Sequence, residues 1–184
     1  MSIVVGISTP IGSGAISIVR VSGEGALALA LRFFTSTKLK GDPTPNYMYL
    51  GTFHNGDLKD RCMMVYFRAP RSYTGEDMVE FQLHGGVRLT EEVLRTLVRA
   101  GAVMAKEGEF TRRAFLNGKL TLDEAEGVMA LIQAESQAEI SSAYGMLKGK
   151  VSQKIAPAKE ALLKVLSYLE ASLDFPEEME EEEE

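Results

Sequence analysis

Apolar and polar positions alternate along residues 78–84, where Val79, Phe81 and Leu83 interleave with Glu80, Gln82 and His84. A period of two places one set on each face of a strand. Residues 3–7 and 16–21 are shorter β-branched apolar runs and predict two more strands, separated by the loop-forming stretch Ser8-Thr9-Pro10-Ile11-Gly12-Ser13-Gly14. Residues 47–54 and 59–68 flank Asn55-Gly56, whose tolerance of positive φ predicts a hairpin. Helical spacing opens after Gly23–Gly25 over residues 26–34, and recurs over residues 91–100 before Gly101. The pattern predicts an α+β domain, a mixed sheet with flanking helices. It lacks the strict βαβ rhythm of a doubly wound sheet.

After Gly118 the period changes. Thr121 and Glu124 have capping-box spacing, and Leu122, Ala125, Met129, Ile132, Ile140, Tyr144 and Leu147 follow mostly at steps of three and four. Lys148-Gly149-Lys150 interrupts, and a second helix carries Val151, Ile155, Leu162, Val165, Leu166, Leu169 and Leu173. Pro157 is expected to kink or delay it, because proline removes a backbone donor. Two long helices joined by a short turn predict an αα-hairpin. Two helices cannot cover both their apolar stripes, so the helical part is expected to be incomplete, awaiting a second copy or a further segment. The organisation expected is residues 1–118 as the α+β domain, 119–176 as the helical hairpin and 177–184 as an acidic, disordered tail.

Charge changes this picture only at the end of the chain. The net charge of −6 includes seven glutamates in the last eight positions, and removing those seven leaves +1. The folded part is therefore nearly neutral, and the tail is a self-repelling, solvated run. Of 184 residues, 45% are hydrophobic, enough for a sizeable core. No apolar run approaches the roughly 20 residues that span a bilayer, and Met1-Ser2-Ile3-Val4-Val5 lacks a signal-peptide pattern. A single cysteine, Cys62, precludes an internal disulfide and fits a reducing compartment. A cytoplasmic protein with no membrane association is expected.

Several chemistries are disfavoured by spacing. Gly149-Lys150 is followed by Val151, so no hydroxyl is placed to ligate magnesium as in a phosphate-binding loop. Gly12-Ser13-Gly14 lacks the third glycine and downstream acid of a dinucleotide fingerprint. His54 and His84 are the only histidines, and one cysteine cannot complete a zinc site. Cys62, beside Met63 and Met64 in a strand, is expected in the core.

Two segments are less ordinary: Ser72-Tyr73-Thr74-Gly75-Glu76-Asp77 before the strand ending in His84-Gly85-Gly86, and Gly108-Glu109-Phe110-Thr111-Arg112-Arg113-Ala114-Phe115-Leu116-Asn117-Gly118-Lys119. From residue types alone they are a pair of punctuated loops with solvated charges. Together with Thr9-Pro10…Gly12…Gly14-Ala15, Ile18-Val19-Arg20-Val21-Ser22, Glu124-Ala125-Glu126…Leu131-Ile132-Gln133-Ala134 and Leu173-Asp174-Phe175-Pro176-Glu177-Glu178, they resemble the tRNA-modification GTPase MnmE (TrmE) family, in order and over nearly the whole chain. Ile11 and Glu107 stand where that family usually has proline.

The resemblance implies an aminomethyltransferase-like, folate-binding and dimer-forming domain followed by the first helices of a helical domain. The family's inserted GTPase domain, with its GTP, magnesium and potassium, has no counterpart here, nor has its terminal cysteine motif. It implies 5-formyltetrahydrofolate or 5,10-methylenetetrahydrofolate as cofactor, a homodimer through the amino-terminal domain, and an FAD-dependent partner, MnmG (GidA). With that partner the full complex binds tRNA and installs an aminomethyl-type group on the wobble uridine. By motif, the folate-binding residues fall on Arg20, Glu80 and Lys119, with Tyr73, Thr74 and Gly75 shaping the pocket mouth. A carboxylate can accept from the adjacent N–H and amino groups of a pterin, and cations suit the cofactor's carbonyl and carboxylate oxygens. Glu80 is therefore expected on the pterin edge, with Arg20 and Lys119 on oxygens, and no catalytic residue is assigned. Other readings are a free-standing one-carbon transferase using Glu76 or Asp77, a purely structural dimerisation module, and direct tRNA binding through Arg88, Arg95, Arg99, Lys106, Arg112, Arg113 and Lys119.

Overall fold

A computed structural model describes residues 2–174, and the acidic tail lies outside the described residues. Thirteen elements follow in order: β1 Val4–Ile7, β2 Ile16–Ser22, α1 Ala26–Leu31, β3 Phe34–Thr35, β4 Met48–Asn55, β5 Leu58–Phe67, β6 Met78–His84, α2 Val87–Arg99, β7 Val103–Met104, α3 Glu109–Leu116, α4 Leu122–Gln133, α5 Gln137–Leu147 and α6 Lys150–Asp174. The chain divides into two compact units, Met1–Leu120 and a second beginning at Thr121. The mixed α/β architecture followed by a helical region agrees with the alternation and period change in the sequence.

In the first unit the strands form one seven-stranded sheet in the order β3-β4-β5-β6-β2-β1-β7. Only β1 and β7 run parallel. Register explains the two faces. Val5, Val21, Val79 and Tyr66 lie opposite one another on one face, where Val19, Phe81 and Met64 join them. All are buried and pack with Ala26, Leu29 and Ala30 of α1 and Val93, Leu94 and Leu97 of α2. The next row, Gly6, Arg20, Glu80 and Val65, therefore points to the other face.

Four local expectations are corrected. α1 stops at Leu31 instead of running to residue 34, because Phe34, 2% exposed, is claimed by the core as β3 beside Phe53. The hairpin loop is Gly56-Asp57 rather than Asn55-Gly56: Asn55 pairs with Leu58, and Gly56 takes φ 59 at the first loop position. α2 begins at Val87, one turn before the expected start, with Gly86 as its N-cap. Residues 109–116, expected as loop, form α3, entered through Gly108 at φ 69.

Gly85 has a steric requirement of its own: a Cβ there would stand 2.4 Å from the Gly14 carbonyl oxygen. That close approach joins the loop before β2 to the end of β6, and Gly14 N–H donates to Gly85 O at 2.9 Å.

Among the described residues the second unit holds three helices rather than a two-helix hairpin. The capping box at Thr121 and Glu124 forms as expected. The long first helix breaks at Ala134, whose ψ of 126 is extended, and Ser136 starts α5 by accepting from Glu139 N–H at 3.2 Å. Ser136-Gln137-Ala138-Glu139 has the same Ser-x-x-Glu spacing that marked α4. α4 and α5 meet at small residues: a Cβ on Gly127 would lie 2.9 Å from Leu147 N and 3.0 Å from Met146 Cβ. Gly149, at φ 63, ends α5, which is a helix-stop role and not a phosphate-binding one. α6 starts at Lys150, well before Pro157, so the proline sits inside the helix and does not delay it.

Candidate functional site

β2 and β6 run antiparallel with Arg20 directly opposite Glu80. Sixty positions apart in the chain, the two become cross-strand neighbours. Arg20 Nε donates to Glu80 Oε1 at 2.8 Å, and an Nη lies 2.8 Å from the same oxygen. Both side chains are largely covered, at 21% and 13% exposure. Both guanidinium contacts fall on Oε1, which leaves Oε2 without a protein donor among the described residues.

Aromatic rings flank this pair. The Arg20 guanidinium carbon lies 5.3 Å from the Tyr73 ring centroid and 5.1 Å from that of Phe110, within cation–π range. Tyr73 is itself held, its hydroxyl 2.8 Å from the Thr111 hydroxyl on α3. Gly6, opposite Arg20 on β1, makes room for this packing: a Cβ there would come within 3.2 Å of Phe110 Cε2 and of Ala105 Cβ.

The segment between Ser72 and Asp77 is fastened on several sides. Thr74, fully buried, shares a 2.7 Å hydrogen bond with the Ser22 hydroxyl, and its carbonyl accepts from Asn117 Nδ2 at 2.7 Å. Gly75 adopts φ 77, and a Cβ on it would lie 3.1 Å from Asn117 Cβ and from Lys119 Cγ. The positive φ favours glycine there, and the close side chains leave little room for a larger residue. Glu76 accepts from Ser22 at 2.8 Å and from Arg113 Nη1 at 2.9 and 3.0 Å, while Arg113 Nε donates to Glu109 at 3.1 Å. Arg113 is 4% exposed, so its loss would leave the covered Glu76 carboxylate without a cation, a change that typically costs about 3–5 kcal/mol. Asp77 accepts from the Tyr66 hydroxyl and from Ala69 N–H, each at 2.9 Å. Burial first, then that hydrogen bond to Asp77, holds the Tyr66 phenol above its usual pKa.

Lys119 follows the end of α3. Gly118 at φ 67 turns the chain, and Lys119 N–H closes the helix on Ala114 O at 2.8 Å. The Lys119 ammonium donates to Pro70 O at 3.1 Å. Pro70 lines a cavity of about 340 Å³ with Pro45, Asn46, Arg68, Ala69 and Arg71. The fold thus brings Arg20, Glu80 and Tyr73 into contact and ties Thr74, Gly75 and Lys119 to the same loop. Lys119 hydrogen-bonds to the loop backbone and not to the Arg20–Glu80 pair.

Over residues 3–119 the chain matches the family model described as "GTP-binding protein TrmE N-terminus", and over residues 122–184 the one described as "MnmE helical domain". This chain belongs to the MnmE (TrmE) family. It is 46% identical over 177 residues to the tRNA modification GTPase MnmE of Aquifex aeolicus, an alignment covering 95% of this chain and 39% of that protein. To the proteins of the same name from Fervidobacterium nodosum and Thermus thermophilus it is 42% identical over 180 residues and 45% over 178. Those alignments cover 96% and 94% of this chain, and 39% and 40% of the relatives. The chain therefore spans about two-fifths of the length of the MnmE proteins it matches.

Within this MnmE-type unit, sequence reasoning missed Phe110, Thr111 and Gly6 as neighbours of the site. The available signal was Glu109 four residues before Arg113, a helix-stabilising spacing directly after a glycine. Of the seven residues of the basic set Arg88, Arg95, Arg99, Lys106, Arg112, Arg113 and Lys119, the structure shows ion pairs for Arg88, Arg95, Arg112 and Arg113. Arg113 is buried, and the other three pair with Glu92, Glu91 and Glu109 along their own helices. Cys62 is 3% exposed, and burial pushes its thiol up to about 12, as a core residue. No helix among the described residues is long and apolar enough to cross a membrane.

Proposed function

We propose that this chain is the folate-holding, dimer-forming module of a tRNA-modifying GTPase, acting in the cytoplasm. In this reading it holds 5-formyltetrahydrofolate or 5,10-methylenetetrahydrofolate and supports aminomethyl-type modification of the tRNA wobble uridine, together with the FAD-dependent MnmG. The observation that carries it is the Arg20–Glu80 pair, with the guanidinium over two aromatic rings and one carboxylate oxygen uncommitted among the described residues. A carboxylate oxygen in such a setting suits a pterin edge, where adjacent N–H groups donate. Lys119, bonded to Pro70 of a cavity lined by Arg68 and Arg71, suits the carboxylates of the cofactor's glutamate tail.

Dimerisation draws support from the sheet face away from the core. Leu50, Met63, Gln82 and Ile18 form a cross-strand row there, with Leu50 and Met63 at 44% and 39% exposure, and Ile16 adds 60%. The free-standing transferase reading is less well supported, since its candidate acids, Glu76 and Asp77, are engaged in bonds that hold the loop.

Calorimetric titration of 5-formyltetrahydrofolate into the wild type and Glu80→Ala tests the assignment. Loss of a charge-assisted contact should weaken binding by about 1.5–3 kcal/mol. Equal affinities would remove Glu80 from the site. Light scattering should report a dimer, and a strict monomer would count heavily against the dimer-forming role.

A further inference from the structure

Arg20 is expected to hold ligand oxygens, yet its guanidinium is already committed. Two of its nitrogens lie against Glu80 Oε1, and its central carbon lies over the Phe110 and Tyr73 rings, 5.1 and 5.3 Å from their centroids. A guanidinium is planar and weakly hydrated, so aromatic rings can hold it in one plane while its edge donates. The rings are not incidental packing. Tyr73 is bonded to Thr111, next to Phe110 in α3, and Gly6 leaves the space that Phe110 fills.

We propose that Phe110 and Tyr73 form an aromatic clamp that makes Arg20 a positioning residue, holding Glu80 by Oε1 so that Oε2 receives the paired N–H donors of a pterin-type ring edge. This rests on the folate reading above and assigns Phe110 and Tyr73 a place in it. The clamp itself exists without ligand and is testable separately. Removing the clamp leaves the ion pair chemically intact but frees the guanidinium to swing, which blurs the position of the acceptor oxygen.

Phe110→Leu keeps apolar bulk and loses the ring face, whereas Phe110→Tyr keeps both. In titrations with 5-formyltetrahydrofolate, the leucine variant should bind roughly five- to tenfold more weakly and the tyrosine variant within about twofold of wild type, the scale of a partly buried cation–π contact. In an Arg20→Gln background, Phe110→Leu should add no further loss. Nitrogen-15 spectra of the ligand-free protein should show an Arg20 Nε–H protected from exchange in the wild type and Phe110→Tyr, and unprotected in Phe110→Leu. Thermal midpoints of the two Phe110 variants should agree.

Leucine binding as tightly as wild type would overturn the clamp, as would losses that simply add in the Arg20→Gln background. An unprotected Arg20 Nε–H in the wild type overturns it whatever the titrations show. A wild type that binds no folate, while its Arg20 signal stays protected in a Phe110-dependent way, counts against the folate reading and leaves the clamp standing.

Discussion

The two units of this chain are held by different forces. In the first, Phe53, Phe81, Met64, Leu97 and a set of valines are sealed in one core, drawn from strands and helices distant in the chain. In the second, the only fully covered residues on α4 and α5 are Gly127 and Ala143, and α6 has none. Leu162, Leu166 and Leu173 of α6 are 71%, 50% and 80% exposed. Each large apolar side chain taken from water contributes about 1.5–3 kcal/mol, so the first unit draws most of its stability from a term the second barely uses. The helical unit relies instead on caps at Thr121 and Ser136 and on a close helix crossing at Gly127. Caps of this kind are worth about 1 kcal/mol each.

The largest test of this contrast is a pair of truncations. Phe81→Ala removes a ring stacked edge-on against Phe53 at 5.2 Å, and it should cost about 3–5 kcal/mol in urea unfolding. Leu166→Ala on α6 should stay within about 0.5 kcal/mol. Similar losses at the two sites would break the comparison. A smaller effect is expected where α4 meets α5. Gly127→Val inserts side-chain atoms against the backbone of Leu147, and it should destabilise the pairing by about 1–3 kcal/mol. Amide exchange should then quicken over residues 122–147 while β2, β5 and β6 keep their protection. Unchanged exchange in the helices would show that the crossing is not where they hold together.

The finest test is a pH titration. Hydrogen bonds from Ser152 first, and from Thr121 second, lower the Asp123 carboxyl from 3.8 to about 2. A depressed carboxylate pKa stabilises the fold above its ordinary value and loses that contribution as pH falls. The link between α4 and α6 at Asp123 and Ser152 should therefore hold at neutral pH and open only as pH drops from 3.8 toward about 2. The Ser152 amide resonance would follow it, and a midpoint at 3.8 would mean the link does not form in solution.

Much of the fold was legible because its signals are local. The alternation in β6, the β-branched runs of β1 and β2, the flanks of the β4–β5 hairpin and the Thr121 cap all lie within a few residues of what they specify. What escaped was short or set from afar. β3 and β7 are two residues each and exist only because a neighbouring strand pairs with them. α3 carries exposed and buried charges side by side, which reads as loop until Glu76, from a different segment, is seen to neutralise Arg113. The break between α4 and α5 had a local signal in Ser136 and Glu139, but the apolar spacing on either side continued through it.

For the candidate site, it was the resemblance of the motifs to the MnmE family, not residue types alone, that singled out a cation at 20, an acid at 80, a cation at 119 and the glycines that let backbones approach. Such choices are written in the chain because they depend on side-chain chemistry and on conformations that only glycine adopts freely. Only the tertiary structure decided that Arg20 faces Glu80, that the guanidinium lies over the Phe110 and Tyr73 rings, and that Lys119 rests on Pro70 instead of joining the pair. Those are contacts across strand registers and a helix–sheet packing. They depend on how the core closes, and no local pattern encodes that distance.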